Sequence, residues 1–166
     1  MSTSGDALQE GIMLSVRPRF SNALLSGSKA VELRRRPVRL SPGHLIALYE
    51  ASPTKALAGF LIVADTFKST PDAVWRRCNA RMSLSRNEYD KYLHGAESAF
   101  AIEVKQAVRL ETPLHLQRLR MQCPGFSPPQ SFRYLDKLPA ALARLFREAF
   151  STQVSSAKGT MTFKEA

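Results

Sequence analysis

Cysteine, histidine and tryptophan are all scarce in this chain: two, three and one respectively. Cys78 and Cys123 lie far apart, form no CxxC pair, and do not stand at zinc-ligand spacing from His44, His94 or His115. A disulfide framework and a structural zinc site are therefore not expected, and two reduced thiols are the plain reading. No stretch approaches the roughly 20 apolar residues needed to span a bilayer. The first residues, with Asp6 and Glu10, lack the basic-then-apolar order of a secretory signal. A cytoplasmic protein with no membrane contact, metal or cofactor is expected.

What the chain has in quantity is positive charge. Lys and Arg number 24 against 14 Asp and Glu, a net +10. Arg outnumbers Lys by 16 to 8, counted along the sequence. Such a surface favours polyanions through phosphate contacts and counterion release, and the guanidinium fork suits bidentate phosphate contacts and base stacking. RNA or a nucleotide is the expected partner, with DNA as an alternative. The composition sets no oligomeric state.

With 166 residues and 44% apolar content, one domain with a substantial core is predicted. The Ser- and acid-rich residues 1–11 and the Ser- and Thr-rich residues 151–166 are predicted to be disordered tails around a folded unit from Ile12 to Phe150. Ile12–Val16 reads as a strand. Pro18 opens a helix, with Phe20, Leu24 and Leu25 on one face and Gly27 as its stop. Val31–Pro37 alternates, setting Val31 and Leu33 against Glu32, Arg34 and Arg36. Strands follow at His44–Tyr49 and Ala56–Thr66, the second apolar on both faces and carrying Gly59 as a bulge or close approach. Thr70 with Pro71, and Ser85 with Glu88, cap two inserted helices. Ala99–Val108 returns to strand, and Leu138–Phe150 is an amphipathic helix. Leu33, Ile46, Leu48, Leu61, Val63, Ile102 and Val104 are the predicted core positions.

The run Gly27-Ser28-Lys29 followed by Val31-Glu32-Leu33-Arg34-Arg35-Arg36 resembles the ASCH family, whose signature is a helix, a Gly-x-Lys turn and a strand reading roughly T-x-E-x-R. Ala30 stands where Thr is common. Leu48-Tyr49-Glu50-Ala51-Ser52-Pro53 is similar to the family's second barrel strand, and Lys55–Val63 to its third. Pro128-Pro129-Gln130-Ser131-Phe132-Arg133-Tyr134 is similar to a C-terminal motif of one subgroup. The resemblance covers most of residues 13–135. It implies an α+β fold, a PUA-like mixed β-barrel with covering helices, and a cleft where the Lys29 turn meets the barrel. It also implies RNA binding with roles in transcription or translation, while some small relatives hydrolyse acetylated cytidine.

At that cleft Lys29, Glu32 and Arg34 form the first candidate group, since a carboxylate beside cations accepts from a base edge while the cations hold phosphate. The same residues would make a salt-bridged strand face with no ligand. Arg36 extends the basic edge. Tyr49, Ser52 and Lys55 offer an aromatic face, a hydroxyl and an ammonium around the second turn. Gln130, Ser131, Phe132 and Arg133 offer hydrogen bonding, stacking and phosphate contact. A binding module is the leading reading. An amidohydrolase would require a hydroxyl nucleophile, yet Glu32 occupies the Thr position of the family's amidohydrolases, leaving Ser28 or Ser52 as substitutes only within about 3 Å of the Lys29 amine. A ribonuclease would use Glu32 or a His as base, with Lys29 and Glu32 as the catalytic pair. A protein-interaction role ranks third.

Overall fold

The computed structural model describes residues 10–157. Six strands form one mixed sheet: β1 (Gly11–Val16), β2 (Val31–Arg34), β3 (Leu45–Glu50), β4 (Ala56–Ser69), β5 (Ala99–His115) and β6 (Phe132–Tyr134). Their spatial order is β2-β5-β4-β3-β1-β6. Only the β1–β3 pair is parallel, with Ile12 opposite Ile46; the other pairs are antiparallel. Five helices accompany the sheet: α1 (Pro18–Ser26), α2 (Pro71–Cys78), α3 (Arg86–Tyr92), α4 (Leu116–Gln122) and α5 (Ala140–Ala157). No helix among the described residues is long and apolar enough to cross a membrane.

The sheet curls into a half-barrel because its long strands are bulged. Register shifts fall at Leu48/Tyr49, Leu57/Gly59, Ile62/Val63 and Val63/Asp65, and each bulge raises the local twist. At Gly59 the backbone approach is close enough to exclude a side chain: a Cβ there would lie 2.4 Å from the Val108 carbonyl oxygen and 2.7 Å from Leu25 Cδ2. No backbone ladder joins the outermost strands, β2 and β6. A side-chain bond does, from the Arg34 guanidinium to the Ser131 hydroxyl at the start of β6.

Period-2 alternation sorts the core into faces. Ile12, Leu14 and Val16 join Leu24 and Leu25 of α1 and Leu48, Leu61 and Ile102 inside the curl. Met13, Ala47, Tyr49 and Phe60 face outwards, covered by Leu119 of α4 and by Leu142 and Phe146 of α5. Val31 and Leu33 pack with Val74, Cys78, Tyr89 and Leu93 of the α2–α3 segment. Six of the seven predicted core positions are buried. The seventh, Val104, is only partly buried, where the Val63/Asp65 bulge breaks the register opposite it.

The capping signals operate as read. The Thr70 hydroxyl accepts from the Ala73 N–H at 3.3 Å, and Ser85 and Glu88 make a reciprocal capping box. Several element boundaries differ from the sequence reading; β4, for one, runs to Ser69 rather than Thr66. β2 ends at Arg34 rather than Pro37, β5 runs on to His115, and Phe132–Tyr134 pairs with β1 as an edge strand. The last helix begins at Ala140 and continues to Ala157, so residues 151–157 are helical and not tail. Gln153 accepts from the Glu111 N–H at 2.8 Å, and Val154 packs against the outer core cluster. The remaining expected tail residues, 1–9 and 158–166, lie outside the described residues.

Candidate functional site

The C-terminal end of β1, helix α1, strand β2 and the α3 segment enclose a cleft of about 460 Å³, within the usual range for ligand pockets. Helix α1 stops at Gly27, whose φ of 83° is left-handed and costs glycine nothing. The chain then doubles back, with the Lys29 N–H donating to the Ala23 carbonyl at 3.0 Å. That turn drives the Lys29 side chain inwards, to 2% exposure. Its amine donates to the Met82 carbonyl at 2.5 Å and lies 5.2 Å from the Phe20 ring centre.

Alternation along β2 sends Val31 and Leu33 into the helix-covered core and leaves Glu32 facing Lys29. The Glu32 carboxylate is 3.8 Å from the Lys29 amine and 3.5 Å from the Arg34 guanidinium. Glu32 is itself buried, at 7% exposure. Burial pushes the Lys29 amine below its ordinary range, opposed by the Glu32 charge and assisted by Arg19. Burial likewise pushes the Glu32 carboxyl above its ordinary range, with Lys29 and Arg34 opposing. Both separations exceed good hydrogen-bond lengths, so attraction between the charges recovers only part of what burial costs. Burial thus moves both groups in the direction of their uncharged forms, while each opposes the shift of the other.

Arg17, Arg19, Arg34 and Lys91 place four further cations around the cleft. Arg19 donates to Glu88 at 2.6 Å and to the Ser83 carbonyl at 3.3 Å, joining α1 to α3. Its guanidinium holds the Glu88 carboxyl down at about 2. Tyr92 sits at the mouth, and its hydroxyl donates to the Leu33 carbonyl at 3.4 Å. Arg35 fixes the end of α3 by donating to the Tyr92 and His94 carbonyls.

Of the residues singled out from the sequence, Lys29, Glu32 and Arg34 meet here, and Ser131 joins them through its bond to Arg34. Arg36 and Gln130 are exposed and do not line the cleft. Phe132 and Arg133 point to opposite sides of β6: Phe132 packs against the inner core, whereas Arg133 lies over the Phe126 ring at 5.6 Å. Tyr49 is packed in the outer core, where burial pushes its hydroxyl up. Ser52 and Lys55 are exposed in the β3–β4 turn. These three form a separate group that does not line the cleft. The Ser28 hydroxyl is bonded to Ser26 and to the Ala23 carbonyl, and among the described residues the Lys29 amine donates to the Met82 carbonyl and to neither Ser28 nor Ser52.

The sequence reading passed over Arg17, Arg19, Phe20, Lys91 and Tyr92. The first two carried a signal in hindsight, a cation on each side of the proline that opens α1. Lys91 and Tyr92 reach the cleft only because the α2–α3 insertion folds back over β2, which no local pattern announces.

No protein-family model matches the chain. It is 32% identical over 127 residues to a Zymomonas mobilis protein named ASCH domain-containing ribonuclease, a match spanning 75% of this chain and 84% of that protein. It is 25% identical over 126 residues to the large ribosomal subunit protein uL22 of Ureaplasma parvum, covering 76% of this chain and 39% of that protein. The fold matches the crystal structure of a mutant ASCH protein from Zymomonas mobilis with a TM-score of 0.76 at 26% identity, over 84% of this chain and 96% of that one. The Gly-x-Lys turn that buries Lys29, the strand that sets Glu32 and Arg34 beside it, and this agreement in sequence and fold converge: the chain belongs to the ASCH domain family.

Proposed function

We propose that this protein binds single-stranded RNA across the Lys29–Glu32–Arg34 cleft and cleaves it there as a ribonuclease. The observation that carries the proposal is the buried Lys29–Glu32 pair at the foot of a cleft ringed by Arg17, Arg19, Arg34 and Lys91. The ribonuclease name of the Zymomonas mobilis relative supports it. The cations hold the phosphate and neutralise the charge that builds up during attack. Lys29, whose amine burial pushes below its ordinary range, accepts the proton of the ribose 2′-hydroxyl. The 2′-oxygen bonds to phosphorus, the bond to the 5′-oxygen breaks, and that oxygen takes a proton from water. The ammonium formed on Lys29, 3.8 Å from the Glu32 carboxyl, then gives its proton to the hydroxide left by that water, which closes the cycle.

Cleavage of a mixed RNA pool by wild type, Lys29→Met and Glu32→Gln, compared at matched thermal stability, tests this. Wild-type turnover is expected to rise with pH as the Lys29 amine loses its proton, and to be lost in Lys29→Met. Undiminished cleavage by both variants would move the active site elsewhere. RNA binding without turnover in the wild type would reduce the protein to a binding module.

A further inference from the structure

We infer that Arg39 and Tyr134 form a second nucleotide subsite, a stacking platform for an unpaired base next to the nucleotide held in the cleft; this rests on the RNA reading above. The Arg39 guanidinium lies 4.6 Å from the centre of the Tyr134 ring. The Arg39 backbone N–H donates to the Tyr134 hydroxyl at 3.2 Å, fixing the ring against the loop between β2 and β3. The loop is itself anchored, because Val38 and Leu40 are buried on either side of the exposed Arg39. Phe132 meets Tyr134 edge to face at 5.4 Å and supports it from the β1 side.

No carboxylate among the described residues pairs with Arg39. Its planar cation is thus stacked on one face and open to a π-face on the other, an arrangement that suits bases of any identity. The route from the cleft to the platform runs along β6: Arg34 at the cleft bonds Ser131, which immediately precedes Phe132 and stands three residues before Tyr134. A strand leaving the cleft past Arg34 therefore meets Tyr134 and Arg39 within the next residues of the same edge.

The test compares a dinucleotide, a tetranucleotide and the same tetranucleotide with abasic flanking positions, by fluorescence anisotropy and by cleavage. In the wild type the flanking bases are expected to tighten binding by about tenfold, the lower part of the range for base stacking on an aromatic. Arg39→Ala and Tyr134→Leu are expected to remove that gain while leaving dinucleotide binding unchanged, and Tyr134→Phe, which keeps the ring, is expected to retain it. The abasic tetranucleotide should bind wild type as weakly as the intact one binds Arg39→Ala. Equal loss for dinucleotide and tetranucleotide, or no loss in Tyr134→Leu, overturns the subsite. Tight binding of flanking bases without cleavage of any RNA would instead retain the subsite and overturn the ribonuclease.

Discussion

Lys29 and Glu32 are a case where two opposite charges, set side by side, are each discouraged by the same burial. Removing one partner has a signed consequence for the other. In Glu32→Gln the carboxylate that raises the Lys29 amine is gone, so the amine should titrate lower still. In Arg34→Met the carboxyl loses a cation that lowers it, so Glu32 should titrate higher still. NMR titration of labelled lysine and glutamate side chains reads both shifts, and an unchanged Lys29 midpoint in Glu32→Gln would show that the two do not interact. The linkage to stability follows from which state binds more protons. Between the lowered folded value of Lys29 and its unfolded value near 10.5, the unfolded chain holds the extra proton, so this group makes stability rise with pH. Glu32 acts oppositely above 4.5, where the folded state holds the extra proton and stability falls as pH rises through its raised value. At this scale the sequence was informative: Lys29, Glu32 and Arg34, spaced around a glycine turn and an alternating strand, line one cleft. Partial burial of Lys29 behind the glycine turn was legible, but the depth to which both groups are buried was not, because it depends on Phe20 and on Met82, which stands 53 residues away from Lys29 along the chain.

Elements were legible where they alternate or carry caps, and opaque where they are polar or short. β5 beyond Val108 keeps Leu110 and Leu114 in step with Val108 on the outer core, but Pro113 interrupts the run as a strand breaker, and the segment stays a strand because β4 supplies its partner. β6 is three residues long and exists only through pairing with β1. Residues 116–122 carry no cap hydrogen bond that a reader could anticipate, and α4 stands on the packing of Leu119 against the outer core. Gly59, by contrast, was visible as a single glycine in an apolar strand. Gly59→Ala is expected to cost about 1–3 kcal/mol, since the new methyl meets the Val108 backbone as well as the Leu25 side chain, and the backbone cannot yield cheaply. Thermal melting reads this as a fall of several degrees. Residues 151–157 make a second test of the element boundaries. Truncation after Phe150 removes Gln153 and Val154 and should lower the melting temperature.

For the molecule as a whole, the +10 charge carries an expectation about ions rather than contacts. Log affinity for single-stranded RNA should fall linearly with log salt, with a slope of roughly −0.7 for each phosphate engaged. A flat dependence would remove RNA as the partner. The class of fold was legible because several short motifs recur in the same order along the chain, each weak alone. Where the sheet is left open was not, since β2 and β6 lie at opposite ends of the strand order and nearly 100 residues apart. That separation gives the Arg34–Ser131 bond a meaning beyond ligand contact. It is the clasp of a bracelet whose other links are backbone ladders, and a phosphate competing for the Arg34 guanidinium would loosen the clasp while the links hold. If RNA enters at Arg34 as proposed, the seam and the entry point are one place, so binding should register as faster amide exchange along β6, and Ser131→Ala should show the same loosening with no ligand present.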